Sequence, residues 1–146
     1  MTVKLGMNAK CYRNTGTYGT PTWVLMNNIR DATLADSMAE ADVTRRASGG
    51  FREMEPTTRE VAYDYDAVNV DSDTEVAAVL AAYAARTAMD LEILDGLIAT
   101  PGSTGVRARF KVFKRERSEE LDNAQMLSFT FKPCQDANPP AEVTIA

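Results

Sequence analysis

The residues of this sequence best placed to do chemistry are four aspartates, Asp64, Asp66, Asp71 and Asp73. Carboxylates at alternate positions could bind a calcium ion, which prefers oxygen ligands. The segment lacks the glycine and the closing glutamate of a calcium-binding loop, however. A solvated strand face followed by a helix cap explains the same spacing, so the sequence predicts neither a metal site nor a cofactor.

Side chains for acid–base or nucleophilic catalysis are scarce. The sequence has no histidine, which is the commonest general base and metal ligand. The pair Gly49-Gly50 follows no strand-to-helix pattern and does not resemble a phosphate-binding loop. We therefore predict that the protein is not an enzyme. A small enzyme that depends on carboxylates alone stays open as an alternative from a different class.

Composition and charge indicate a folded protein that does not bind nucleic acid generally. A length of 146 residues suits a single domain over residues 1–146. The net charge of −5 argues against general nucleic-acid affinity, since phosphate binding needs a basic face. Residues 1–30 carry +4, residues 31–100 carry −10 and residues 101–146 carry +1. Such opposed blocks could pair copies head to tail, although a solvated mixed surface explains them equally well.

The two cysteines, Cys11 and Cys134, lie far apart and form no ligand motif. No signal peptide or apolar run of membrane length is evident, so we expect a reducing cytoplasm and no membrane partner. In that compartment disulfides are rare, and both cysteines are expected to be structural thiols.

Three segments alternate as strands with one packed face and one polar face. Their predicted packed faces are Val61, Tyr63, Tyr65 and Ala67 within residues 57–70, Val106, Ala108, Phe110 and Val112 within residues 106–113, and Leu127, Phe129 and Phe131 within residues 124–133. The last two segments are expected to be antiparallel neighbours joined by a loop at 114–123. The opposite stripe of Arg107, Arg109 and Lys111 predicts a solvated or subunit-pairing face rather than a nucleic-acid site.

Residues 71–89 change to a helical pattern. The apolar stripe that should dock on a sheet comprises Val76, Leu80, Tyr83 and, less regularly, Val79. Asp73 or Thr74 is the expected N-cap, and Glu75 suits the helix dipole.

The remaining elements are shorter or less regular. Strands are predicted within residues 2–12, 23–29 and 91–94, a hairpin turn at Asp95-Gly96 with a return strand at 97–99, and either a strand or a short helix at 31–44. Trp23 is expected in the core. A long charged loop at about 40–57 and an extended C-terminal tail at about 134–146 complete a mainly antiparallel β architecture with one packed helix.

The charged loop carries a resemblance to a known family. Its segment ADVTRRASGGFREMEPTTRE (41–60) resembles the corresponding segment of major tail proteins, the tail-tube subunits of long-tailed bacteriophages. The matching residues are Asp42, Val43, Thr44, Arg46, Ser48, Gly49, Gly50, Phe51, Arg52, Glu53, Pro56 and Thr57. Phe51 departs from the pattern, because this aromatic is more often Trp. The order of the later elements also fits, so that the resemblance covers roughly residues 20–133.

This resemblance implies an antiparallel β-sandwich or barrel-like tail-tube fold with one flanking helix and a long charged loop. It implies hexameric rings that stack into a tube, with a continuous β-barrel around a lumen through which DNA passes into the host. The implied partners are copies of the chain, a tape measure protein, a tail terminator and baseplate or tail-tip proteins. The location would be the virion tail, after assembly in the host cytoplasm.

The resemblance also suggests which residues make contacts. The loop would be flexible in the free subunit and would become ordered against the next ring. The expected contact residues are Arg45, Arg46, Ser48, Gly49, Gly50, Phe51, Arg52 and Glu53, with Glu55 also pairing across the seam. Asp64, Asp66 and acids within 31–42 are candidates for a lumen lining that repels DNA phosphate. A tail terminator, head–tail joining protein or decoration protein is the alternative virion role.

Overall fold

The computed structural model describes residues 3–146, which form a mainly antiparallel β fold with one α-helix. The elements are β1 (Lys10–Asn14), β2 (Trp23–Leu25), β3 (Ile29–Asp42), β4 (Met54–Val68), α1 (Thr74–Ala85), β5 (Met89–Leu94), β6 (Thr104–Ser118), β7 (Met126–Pro133) and β8 (Ala141–Thr144). Short 3-10 turns occupy Gly6–Asn8 and Arg46–Ser48. The predicted fold class is therefore confirmed.

The strands form one branched sheet in the order β2-β1-β5-β6-β7-β4-β3, with β8 also paired to β6. The long strand β6 joins the two halves, because its residues 105–110 pair with β5 and its residues 110–118 pair with β7. Phe110 has a partner on each side, Met89 and Pro133, so β5 and β7 lie on opposite edges of β6. β8 pairs with residues 104–107 on the β7 side.

The core lies where the packed faces of β4, β6 and β7 meet. Phe110, Phe129 and Phe131 have exposed fractions of 0%, 1% and 0%. The ring of Tyr65 stacks on Phe131 with 5.4 Å between centroids. The packed faces predicted for the three alternating segments are confirmed, except that Val112 is only partly buried at the edge of the core.

Helix α1 begins as predicted, since the Asp73 side chain accepts a hydrogen bond from the Glu75 backbone N–H at 3.1 Å. Its buried stripe is centred differently from the prediction. Val76, Val79 and Ala82 are buried, whereas Leu80 and Tyr83 flank the contact and are only partly covered. No helix within residues 3–146 has the length and apolar character to cross a bilayer.

Buried charge ties the start of α1 to the sheet. Glu75 has an exposed fraction of 7% and receives hydrogen bonds from Arg13 at 2.5 and 3.1 Å. These bonds raise the pKa of Arg13. The bidentate pairing satisfies a carboxylate that would otherwise be costly to bury.

Several predicted boundaries were wrong because strand pairing overrides local composition. For residues 31–44 the strand alternative is confirmed despite their Ala, Asp and Glu content, although the strand runs from Ile29 to Asp42 in register with β4. Residues 114–118 extend β6 rather than forming a loop, because they pair with residues 126–130 of β7. The predicted first strand, within residues 2–12, starts only at Lys10, and residue 2 of that prediction lies outside the described residues.

Two further corrections concern the end of the fold near Asp95. The Asp95 carboxylate accepts hydrogen bonds from the backbone N–H and the hydroxyl of Thr104, at 2.9 and 3.0 Å, which closes a wide loop. Residues 97–99 therefore lie in this loop and do not form a return strand. The C-terminal segment is extended as predicted, but residues 141–144 are held as strand β8 against β6.

Arg107, the first residue of the predicted basic stripe on β6, is used inside the subunit rather than at its surface. The Arg107 guanidinium lies 3.9 Å from the ring centroid of Tyr18 and 4.9 Å from that of Trp23. It also binds the buried Asp90 carboxylate at 2.7 Å, and this bond raises the pKa of Arg107. Trp23 is thus half-buried over a cation and does not belong to the main core.

A glycine in β6 provides a test of the strand pairing. A Cβ atom at Gly105 would lie 1.7 Å from the carbonyl oxygen of Ile93 in β5. We expect Gly105→Ala to lower the free energy of unfolding by about 1–3 kcal/mol or more, because the two backbones must separate. Gly19→Ala is the matched control, since nothing lies within 4 Å of its added Cβ. Urea unfolding that shows equal effects for both variants would contradict this pairing.

Candidate subunit interface

The hairpin formed by β3 and β4 extends away from the rest of the sheet. β4 pairs with β7 only through Tyr63–Val68, whereas the pairing of β3 with β4 continues down to Met54. At roughly 3.3 Å per residue, β4 spans about 45 Å, and residues 54–62 have β3 as their only strand neighbour within residues 3–146. The distal half of the hairpin is therefore a two-stranded ribbon.

This ribbon has no core of its own. Residues 30–40 of β3 and residues 54–60 of β4 are exposed on both faces. A two-stranded ribbon is marginally stable in water. Apolar side chains remain uncovered along it, including Met38 at 53% exposed and Met54 at 37% exposed. The ribbon therefore offers a long surface to a neighbouring molecule.

Two ionic contacts tie the ribbon to the body of the subunit, and the shorter one is made by Arg59, since Lys132 lies 3.6 Å from Glu60. Arg59 binds the carboxylate of Asp36 on the facing strand and that of Glu142 in β8, the latter at 2.9 Å. The hydrogen bonds that Arg59 donates to Asp36, and then the one it donates to Glu142, raise the pKa of Arg59. This contact orients the ribbon at the point where it leaves the body.

The loop at the tip of the hairpin is shorter than predicted and is closed at its base by hydrogen bonds. It comprises residues 43–53, since the strands take up residues 40–42 and 54–57. The Thr44 hydroxyl accepts a hydrogen bond from the Glu53 N–H at 2.8 Å, and the Val43 N–H donates to the Glu53 carbonyl at 3.0 Å. These bonds close the base of the loop.

A compact turn places the predicted contact residues together at this tip. The Ser48 hydroxyl accepts a hydrogen bond from the Arg45 N–H, and the Ser48 N–H donates to the Arg45 carbonyl, at 3.1 and 2.9 Å. Gly49 and Gly50 follow with φ values of 66° and 87°, which favour glycine. The turn therefore brings Arg46, Phe51 and Arg52 to one end of the hairpin, whereas Glu55 already belongs to β4.

The tip combines exposed charge with exposed apolar surface. Phe51 is 77% exposed. Arg52 lies 3.5 Å from the Asp42 carboxylate, and a hydrogen bond from Thr44 followed by this guanidinium lowers the pKa of Asp42. Arg45 and Arg46 take part in none of the ion pairs formed by residues 3–146. Two arginines and a phenylalanine are thus available for contact.

The structure also reveals two unpaired strand edges that sequence analysis missed. β3 is the last strand of the sheet, so its outer edge has no partner within residues 3–146. On the side of β6 where β5 pairs, the ladder stops at Phe110, which leaves residues 111–118 open. The four strands β6, β7, β4 and β3 therefore form a sheet with a free edge on each side. No local sequence signal marks an edge, because edges follow from the complete pairing order.

Asp64 and Asp66 lie on the polar face of this four-stranded sheet, opposite the core. Their carboxylates accept hydrogen bonds from the hydroxyls of Thr130 and Ser128, each at 2.6 Å. Of the acids within 31–42, Asp31 lies opposite Asp66 on the same face. Asp36 instead lies opposite the buried Val61 on the other face.

The polar face is not uniformly acidic. Lys114 borders the same shallow depression as Asp64 and Asp66, and binds Glu116 at 3.0 Å. Asp71 and Asp73 are not part of this face, since they precede α1. Among residues 3–146, no group of three or more potential metal-binding side chains is brought together.

The same fold occurs in several solved assemblies. A protein in the tail of an empty gene transfer agent particle, refined with C6 symmetry, has a TM-score of 0.73 and 15% identity, with 99% of this chain and 100% of that chain covered. A protein of the SPP1 tail tube has a TM-score of 0.73 and 12% identity, with coverage of 96% and 78%. A protein in the six-fold symmetrised baseplate of the anti-feeding prophage has a TM-score of 0.67 and 6% identity, with coverage of 99% and 98%.

No protein-family model and no curated protein matches the sequence. The structural matches extend over nearly the whole chain, at identities of 15% or lower. They show that this chain has the tail-tube fold. The resemblance carried by the segment 41–60 is therefore confirmed at the level of the fold.

Two phenylalanines distinguish an interface surface from the core. Phe51→Ala should change the free energy of unfolding of the dissociated subunit by less than about 0.5 kcal/mol, because the ring is already in solvent. Phe129→Ala, the matched control in the core, should cost about 3–5 kcal/mol. Urea unfolding in dilute solution checks both values. If Phe51→Ala lowers the free energy of unfolding as much as Phe129→Ala does, Phe51 stabilises its own subunit.

Proposed function

We propose that the protein is a structural subunit of a virion tail, and that its copies form rings that stack into the tail tube. The observation that carries this proposal is the four-stranded sheet with a free edge on each side. Free edges are templates for pairing with another chain, and proteins that remain monomeric cover or blunt them. Neighbouring copies would pair these edges with each other.

The two edges are compatible in direction. Adjacent strands of the sheet are antiparallel, so that β6 and β3, at opposite ends of a set of four, point in opposite directions. Rotation about an axis along the tube keeps these directions. β3 of one copy would therefore meet β6 of the next copy as an antiparallel pair, and repetition would close a barrel without free edges.

The two edges also carry opposite charge. The charged residues of β3 are Arg30, Asp31, Asp36, Glu40 and Asp42, and those of β6 beyond Phe110 are Lys111, Lys114, Arg115, Glu116 and Arg117. An acidic strand would thus meet a basic strand at each junction. Complementary charge of this kind favours the correct partner and register.

Six copies per ring is the number we propose, because two proteins with this fold come from assemblies with six-fold symmetry. The tube would contain a tape measure protein, and would end at a tail terminator on one side and at baseplate or tail-tip proteins on the other. Its subunits would be made in the host cytoplasm and become part of the virion tail. The role is structural rather than enzymatic.

The polar face of the four-stranded sheet is the surface we assign to the lumen. The core and α1 lie on the other side of the sheet, so a barrel closed through the free edges would turn Asp31, Asp64 and Asp66 inward. Fixed carboxylates repel DNA phosphate. DNA would then pass through the lumen without specific binding.

A second virion role is favoured by the baseplate match. A tail terminator, head–tail joining protein or decoration protein could use the same free edges to form a ring that does not stack. The two roles differ in the product that the purified protein forms, which is either open-ended tubes or single rings.

The first test is negative-stain electron microscopy of the purified protein over a concentration series. We expect hollow tubes or stacked rings for the natural chain. A variant with residues 45–53 replaced by a Gly/Ser linker of equal length should lose stacking, because the exposed Phe51 and the arginines are gone. Circular dichroism should show that the variant remains folded. Single rings or monomers of the natural chain under every condition would reject the tail-tube role.

The lumen assignment predicts a separate effect. Asp64→Asn together with Asp66→Asn keeps an oxygen acceptor for Thr130 and Ser128 but removes two charges per copy. Tubes should form normally, whereas DNA ejection from particles that carry the variant should slow, because phosphate repulsion is weaker. Asp71→Asn, at an exposed residue that precedes α1 and lies outside this face, is the control and should not slow ejection. Unchanged ejection kinetics for the double variant would show that this face does not line the path of DNA.

A further inference from the structure

We infer that the hairpin tip of one copy docks onto the β6–β7 loop, residues 119–125, of a copy in the next ring. The inference rests on the proposed stacking of rings and names the surface that receives the tip. Three features support it: the positions of the two loops, their unpaired charges and their exposed apolar side chains.

The hairpin tip and the β6–β7 loop lie at opposite ends of the same sheet. Met126 of β7 lies opposite both Ser118 of β6 and Val68 of β4, so the β6–β7 loop lies at the C-terminal end of β4. The tip precedes Met54 at the other end of β4. Copies stacked in one direction would therefore bring the tip of one ring to the β6–β7 loops of the next.

The unpaired charges at the two ends are complementary. Asp122 takes part in no ion pair formed by residues 3–146, and Glu120 is bound only by the uncharged side chain of Asn123, at 2.6 Å. The neighbouring Glu119 is already bound to Arg117 at 2.5 Å. Two unpaired carboxylates in this loop thus correspond to the two unpaired arginines, Arg45 and Arg46, of the tip.

The β6–β7 loop and the tip each also carry one strongly exposed apolar side chain. Leu121 lies between the two unpaired carboxylates in sequence and is 99% exposed. Phe51 of the tip is 77% exposed. Contact between the two would remove both from water and would exclude solvent from the ion pairs around them.

The positions of the two loops around the circumference of the proposed ring also allow this contact. In the proposed ring, β3 of one copy lies beside β6 of its neighbour, so β3–β4 tips and β6–β7 loops alternate around the circumference.

A single exposed ion pair contributes about 0.2–1 kcal/mol to binding, which is too weak to join two single copies. Repetition around a ring makes the contacts cooperative, since they engage together.

Charge reversal tests the contact. One variant carries Arg45→Glu with Arg46→Glu, and the other carries Glu120→Arg with Asp122→Arg. Each variant alone should still form rings. The protein concentration at which these rings stack into tubes should rise at least about tenfold, because like charges would face each other. An equimolar mixture of the two, or one chain with all four changes, should regain tubes. Arg86→Glu, at an exposed arginine after α1, should stack normally.

The possible outcomes separate this inference from the proposed function. If the natural chain forms no tubes, both are overturned. If it forms tubes and either reversal leaves them intact, only the docking of tip on loop is wrong. If each reversal abolishes stacking and neither the mixture nor the fourfold variant restores it, the two surfaces contact something other than each other. Sedimentation and electron microscopy measure all of these outcomes.

Discussion

The unpaired backbone of a strand edge is the constraint on which the rest of this structure depends. Each edge residue leaves hydrogen-bonding groups that must be satisfied by water or by another strand. Here the ladder of β5 on β6 stops at Phe110, which leaves one free edge on β6, and β3 is the last strand of the sheet, which leaves another. The alternation of side chains along these strands gives the four-stranded sheet its polar face on one side and the core on the other.

The residues that form the core and those proposed to contact other copies lie in different parts of the chain. The core gathers Phe110, Phe129 and Phe131 beneath α1, whereas the distal hairpin buries almost nothing. A subunit can therefore fold around its own core, whereas in the proposed assembly the hairpin would gain most of its stability from contacts between copies. Because binding to the folded state adds to its stability, assembled protein should resist unfolding more than free subunits do.

Sequence analysis identified the elements whose pattern is set locally, such as the alternating faces that contain Tyr65 and Phe110 and the helix cap at Asp73. It left β3 open between a strand and a short helix, because its composition is poor for a strand and its structure is imposed by pairing with β4. The partners of Arg107 were also missed, because the loop that carries Tyr18 is far away in sequence. The tip residues came from the resemblance to tail proteins, whereas the receiving loop required the three-dimensional register.

The acidic character of β3 has a consequence for which assemblies the chain avoids. Two copies could in principle join their β3 edges through a two-fold axis, which would give a closed dimer and leave both β6 edges free. Such an isologous contact would place one acidic strand beside an identical one, and like charges opposite each other are destabilising. The carboxylates of β3 would thus exclude a dead-end dimer and leave the heterologous contact, which alone can propagate around a ring.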